Sequence, residues 1–350
     1  MFPKEHALPV AEGGTHAMTL GMGFLRGAMV ALAVAFCALP ASANDRLTVQ
    51  LALAPAGSDA AVFLAETMGL FAKQGLEVEI VNGRGSGYSL QIVGAGRKDV
   101  GQGELGPMVV AIDKGMPVVS IAGWARRNDM SILVDRDSPI KSPQDLRGKR
   151  VVMGNSGTWQ PVLDSFLRHN GMTRDDFTLV MVDASAMYTT YASGRVDAMF
   201  GIGPYTSPIV NPQRPSRAID GTAFGLSAPG TGVFVQRELL KSKRPALVKF
   251  IRAYVAAWNH MNDKHEDEAV AAVLSLRPDD KINPDFIKGQ IIAYREYFDT
   301  RNTVGKPFGW QSENDWQDAI AQMEQVGVIK PGHKPSDFYT NEIVDEALNQ

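Results

Sequence analysis

The chain is short of several things that would narrow its chemistry at once. It has one cysteine, Cys37, in 350 residues. That excludes an intramolecular disulfide framework and any cysteine-based zinc or iron–sulfur site. No run of four Lys or Arg occurs, and 35 basic residues face 38 acidic ones for a net charge of -3. A basic nucleic-acid footprint and a polybasic membrane patch are both absent, so no nucleic-acid partner is expected. The longest uncharged apolar run, Gly27–Leu39, is thirteen residues, short of the roughly 20 that cross a bilayer. Histidines number six, and His260 and His265 stand beside acidic residues at a helix end, where they read as a solvated face. No catalytic residue, metal site or cofactor is expected. What is present is an ordinary globular balance, 45% hydrophobic and 21% charged, which argues against disorder.

The apolar run has its own meaning. Arg26 precedes it, and Ala41-Ser42-Ala43 follows Pro40. Charge, apolar stretch and small-x-small site make the three-part pattern of a cleaved secretory signal peptide. Residues 1–43 are therefore expected to leave the protein, with cleavage after Ala43 and a periplasmic destination. Met18 or Met22 would give a more conventional basic start than Met1. Phe36 is too bulky to precede a lipidated cysteine, and cleavage after Ala43 leaves no cysteine in the mature chain.

From Arg46 onward strand-like and helix-like stretches alternate. Arg46–Ala54 and Leu76–Val81 read as strands, with a helix from Asp59 to Gln74 carrying Leu64, Met68 and Phe71 between them. Gly83-Arg84-Gly85-Ser86-Gly87 is a turn before a short helix, Tyr88–Ala95. Strands at Asp99–Gln102 and Val118–Gly123 flank a helix at Pro107–Lys114. The order predicts a doubly wound parallel sheet of the α/β class. A second such unit runs through strands at Lys149–Gly154, Thr178–Val182 and Val196–Phe200. Pro204–Pro229, rich in Pro, Gly and Ser, is expected to be loop with little regular structure. Gly232–Gln236 is again strand-like. The last third is helical, with Pro245, Asn283-Pro284 and Ser312…Asp315 as start signals.

In open α/β sheets a ligand lies beyond the carboxyl ends of the strands. Four loops qualify: Gly57-Ser58-Asp59, Ser86-Gly87-Tyr88, Glu104-Leu105-Gly106 and Ser156-Gly157-Thr158-Trp159. Helix N-termini there suit an anionic or acceptor-rich group, while Asp59 and Glu104 could accept from an amine or amide. Tyr88, Trp159 and Tyr205 could stack on a planar ligand. Trp159 is expected to face the cleft, because Leu163, Phe166 and Leu167 already supply its helix's core side. Arg126 and Arg127 could clamp a carboxylate or sulfonate, or decorate a hinge. Enzyme signatures are missing. Ser156 has no G-x-S-x-G elbow around it, and Gly83–Gly87 lacks the Lys-Ser/Thr of a phosphate loop.

Particular motifs carry a family resemblance. The stretch from Phe63 to Ala122 contains GLFAKQGLEVE, a glycine-rich turn, GRKDVGQG and AIDKGMPVV. It resembles the first lobe of periplasmic substrate-binding proteins of ABC importers, in the nitrate/sulfonate/taurine and thiamine-precursor (hydroxymethylpyrimidine) group. SPIKSPQDLRGKRVVMGNSGT, ASGRVDAMFG and FGWQSENDWQDAIAQMEQVGVI extend the likeness to roughly residues 47–345. The resemblance implies a type II periplasmic binding fold, two α/β lobes with a ligand cleft between them. It implies a discontinuous first lobe at 44–125 plus 235–350, a second at 135–225, and hinge crossings at 126–134 and 226–234. The four loops match the family's ligand loops, which supports Ser58, Ser86, Glu104, Ser156 and Thr158 in particular. The implied role is capture of a small solute, delivered to permease subunits driven by a cytoplasmic ATPase, by a protein that acts as a monomer. An exported sensing module on the same fold is the alternative. The residues leave sulfonate, nitrate-like anion, aromatic acid and pyrimidine open as ligands. A fungal pyrimidine synthase shares the fold, but it would need a cysteine-rich iron motif that the mature chain lacks.

Overall fold

The computed structural model describes residues 45–155, 157–226 and 228–349. The signal-peptide reading, its cleavage site and Ser156 lie outside those residues. Four strands come first: β1 (Asp45–Gln50), β2 (Leu76–Val81), β3 (Val100–Glu104) and β4 (Val118–Ala125). Five follow: β5 (Met130–Asp135), β6 (Arg150–Gly154), β7 (Thr178–Val182), β8 (Ala198–Ile202) and β9 (Ser216–Asp220). The last is β10 (Thr231–Gln236). They form two five-stranded sheets, ordered β2-β1-β3-β10-β4 and β7-β6-β8-β5-β9. Each sheet is the centre of one α/β lobe.

The sheets are mixed rather than wholly parallel. β10 runs antiparallel between β3 and β4, and β5 runs antiparallel between β8 and β9. Each of these two strands is where the chain enters one sheet from the other, so its direction is set by the crossing and not by a βαβ unit. The chain leaves the first sheet after Ala125 and enters the second at Met130. The stretches expected as crossings, 126–134 and 226–234, thus include strand residues of β5 and β10.

Helices α1 (Ala60–Thr67), α2 (Ser86–Gly94) and α3 (Leu105–Asp113) belong to the first run. Helices α4 (Leu163–His169), α5 (Met187–Ala192) and α6 (Gly203–Val210) flank the second sheet. After β10 come α7 (Leu239–Ser242), α8 (Arg244–Asn262), α9 (Glu266–Leu276), α10 (Pro284–Tyr294), α11 (Glu313–Gln325) and α12 (Glu342–Leu348). The apolar face of α8 carries Phe250, Tyr254 and Trp258 into the main core. There Trp258 stacks on Trp124 of β4 at 4.9 Å between ring centroids. That burial of large rings is the principal stabilising term of the first lobe.

Two expectations need correction. The helix predicted from Asp59 to Gln74 stops at Thr67, because Gly69 adopts φ 65 and turns the chain into a 3₁₀ segment at Ala72–Gln74. The stretch 204–229, expected to be loop, holds α6, β9 and a 3₁₀ turn at Gly221–Phe224. Pro204 sits in the first turn of α6, where a missing N–H costs nothing. β9 is an edge strand pairing only with β5, so its sequence, Ser-Arg-Ala-Ile-Asp, carries little apolar signal.

Candidate functional site

A cavity lies between the strand ends of the two sheets and encloses about 720 Å³ of atom-free space, its open mouth included. The first lobe contributes Ser58, Asp59, Ser86 and Glu104, and the second contributes Gly157, Thr158, Trp159 and Tyr205. Those eight residues, predicted from loop positions, are brought together. Gly87 and Tyr88 are not in this wall; they line an adjoining open groove with Gln91 and Asp183. Arg126 lies elsewhere. Its guanidinium donates to the carbonyls of Phe298, Pro307 and Trp310 and pairs with Asp299 at 2.5 Å. With those donors committed to the C-terminal segment, it does not reach the cavity.

Asp59 and Glu104 are held on helix starts. Asp59 is the N-cap of α1 and Glu104 that of α3, and neither side chain bonds the helix it precedes. The macrodipole of each helix favours negative charge at this end, and here the chain places a carboxyl group of its own. The positions expected to hold an anionic ligand are therefore already occupied by carboxyl groups.

Each acid is nearly sealed from water. Asp59 accepts from the Ala56 N–H at 3.2 Å and the Ser58 hydroxyl at 3.3 Å. Burial nevertheless pushes its carboxyl up to about 7. Glu104 Oε1 accepts from the Thr231 hydroxyl at 2.8 Å, and the same hydroxyl lies 3.3 Å from Asp129 Oδ2. Burial first, and then the neighbouring Asp129, raise Glu104 well above the usual carboxylate range. Two acids in one dry pocket cannot both ionise without cost, so burial and the Asp129 neighbour favour the protonated form of Glu104. Asp129 Oδ1 is buried with no partner.

The rest of the wall is aromatic and hydroxylic. Tyr188 and Tyr205 sit ring to ring at 5.9 Å, and Tyr294 enters from the end of α10. Burial pushes all three phenols up, so they remain neutral. Trp159 is 1% exposed. It packs on Phe166 and Phe200, and its indole N–H donates to the Gly201 carbonyl at 2.9 Å. One face thus borders the cavity while the rest belongs to the core, contrary to the expectation that the ring stands clear of it. Thr206 lines the cavity with a buried hydroxyl that has no partner. Among the described lining residues there is no Lys, Arg or His.

Sequence reasoning missed Tyr188, Thr206, Thr231, Tyr294 and the acid behind them, Asp129. Asp129 had a signal: an acid directly before the apolar run Met130–Val134. Tyr294 had none, because it reaches the cleft only through the packing of a distant helix.

The NMT1/THI5 like family model matches residues 58–269. A Haemophilus influenzae protein named for thiamine biosynthesis is 26% identical over 249 residues, 70% of this chain and 78% of that one. A 4-amino-5-hydroxymethyl-2-methylpyrimidine phosphate synthase of Saccharomyces cerevisiae is 30% identical over 162 residues, 45% of this chain and 46% of its own length. Among solved structures, the alkanesulfonate-binding protein SsuA of Xanthomonas axonopodis pv. citri, bound to MOPS, superposes with a TM-score of 0.60. It is 16% identical, and the match covers 86% of this chain and 97% of that one. At that identity the likeness concerns the fold.

Proposed function

Because the chain belongs to the NMT1/THI5 like family, we propose that it is the solute-binding component of a periplasmic ABC importer, and that its solute is an unphosphorylated aminopyrimidine. The observation that carries the choice of ligand is the cavity wall: Asp59 and Glu104 on one side, aromatic rings on the other, and no basic side chain among the described lining residues. A sulfonate, nitrate or phosphate would find no basic side chain to neutralise it among the described lining residues and would meet carboxyls whose ionised forms repel it. A planar ring with an exocyclic amine instead hydrogen-bonds to the acids and stacks on the rings. The names of the Haemophilus and yeast relatives support the same class.

In this reading Asp59 accepts from the exocyclic amine and the protonated Glu104 carboxyl donates to a ring nitrogen. Ser58, Ser86, Thr158 and Thr206 supply hydroxyls, and Trp159, Tyr188, Tyr205 and Tyr294 form the apolar walls. Gly87 and Tyr88 border the entrance. Capture and release is the chemistry we assign to the site. Residues 1–43 act as the export signal, and delivery to permease subunits follows closure of the lobes.

Calorimetric titration with 4-amino-5-hydroxymethyl-2-methylpyrimidine, an alkanesulfonate and nitrate tests the reading. The aminopyrimidine should bind, be recovered unaltered, and exceed both anions by at least about a hundredfold, a difference of roughly 2.7 kcal/mol. Tighter binding of either anion would reverse the ligand assignment. A chemically altered pyrimidine would reverse the assignment of a non-enzymatic role.

A further inference from the structure

On the first lobe, away from the cleft, α8 ends at Asn262 and α9 starts at Glu266. The connecting turn passes through Lys264 at φ 66. A left-handed residue there folds the chain back on itself, so that His265 lies over His260 with ring centroids 4.0 Å apart and planes within 16°. Spacing alone gave no hint of this, because an i, i+5 pair on one straight helix would point apart. Glu268, in the first turn of α9, then sets one oxygen against each ring. Its Oε2 lies 2.8 Å from His260 Nε2 and its Oε1 2.7 Å from His265 Nδ1.

We infer that His260, His265 and Glu268 form a binding site for a borderline divalent cation of the zinc class. One ligand atom from each residue already lies within 4.8 Å of the other two. Tetrahedral zinc with bonds of about 2.0–2.2 Å needs its ligand atoms roughly 3.3–3.6 Å apart. The two short N···O contacts need widen by only a fraction of that separation for a cation to replace both shared protons. Two imidazoles and one carboxylate favour zinc, nickel or copper over calcium or magnesium, which take oxygen ligands. Glu268 is exposed and both histidines are partly so, which leaves the remaining coordination position to water and the site open to loading from bulk solution.

Without a cation the same residues make two exposed hydrogen bonds between helix ends, an arrangement worth little. The two readings separate on titration of tag-free protein with zinc chloride. One equivalent should bind, and calcium chloride should give no heat. His260→Ala and His265→Ala should each weaken zinc at least about tenfold, with His265→Gln as the conservative check that the turn is kept. Cobalt chloride should give a visible absorbance that these substitutions abolish. His333→Ala, which removes the separate His333–Asp113 pair at 2.9 Å, should leave zinc binding unchanged. Absence of stoichiometric zinc binding overturns the inference. So does wild-type affinity in both His260→Ala and His265→Ala while His333→Ala loses it.

Discussion

Asp59 shows how one side chain can oppose folding at neutral pH and still stand in the wall of the proposed site. Its carboxyl is pushed from 3.8 to about 7 by burial, so the native state holds the proton more tightly than the unfolded chain. For an acid displaced in that direction, stability is greatest below the unfolded value, near pH 4, and is lost as pH rises towards 7. A rise of that size is worth about 4 kcal/mol. Glu104 and Asp129 are raised by burial too and add to the same slope. Asp59→Asn should therefore raise the melting temperature of ligand-free protein at neutral pH and flatten its decline between about pH 4 and 7, while weakening the aminopyrimidine at least about tenfold. Melting curves over a pH series and calorimetry check both; an unchanged slope would mean the carboxyl is better solvated than its surroundings imply. Trp159 makes the complementary point. Its indole is sealed between Phe166 and Phe200 as well as bordering the cavity. Trp159→Ala should cost about 3–5 kcal/mol of folding stability in chemical denaturation, in addition to any loss of affinity. The loop position of Trp159 was legible in the sequence. Its second face was not, because Phe200 comes from β8, forty residues away along the chain.

At the level of elements, α6 packs against α10, the contact through which we propose the lobes close. The Gln290 side chain accepts from the Gly57 N–H at 2.8 Å and donates to the Tyr205 carbonyl at 2.8 Å, joining the first lobe to the second. One residue before it, a Cβ at Gly289 would stand 2.9 Å from the Pro208 Cβ. Gly289→Leu should hold the lobes apart, weaken the solute by at least about tenfold and leave the fold of each lobe intact. Circular dichroism and titration on the same sample distinguish that outcome from simple unfolding. Much of this layer was readable: β2 and β7 fall on their expected boundaries, because each pairs a clear apolar pattern with a Gly or acidic stop signal. α6 and β5 were not. Two prolines hid a helix that uses one of them in its first turn, and a buried strand at Met130–Asp135 looked like a connecting segment because it sits beside no helix of its own.

For the molecule as a whole, we propose that the lobes pivot within the expected crossings, 126–134 and 226–234. Saturation with the aminopyrimidine should reduce the radius of gyration by small-angle scattering in the wild type and not in Gly289→Leu; equal scattering in all four samples would place the cleft outside the working cycle. The motifs made the two-lobed architecture legible, because strand–helix alternation is written locally. The ligand class was less legible, since it depends on an absence of basic side chains across loops that the sequence scatters from Ser58 to Tyr294. One topological detail reaches beyond binding. β10 is the strand that separates β3 from β4 in the first sheet, yet it is made only after the entire second sheet. Until Thr231–Gln236 has emerged from the ribosome, the two halves of the first sheet have no hydrogen-bonded connection, and β3 and β4 each present an unpaired edge. The N-terminal lobe therefore cannot lock during the first two thirds of synthesis. A nascent chain in that condition stays threadable through a narrow pore, and it also stays dependent on whatever shields those edges until the last third arrives.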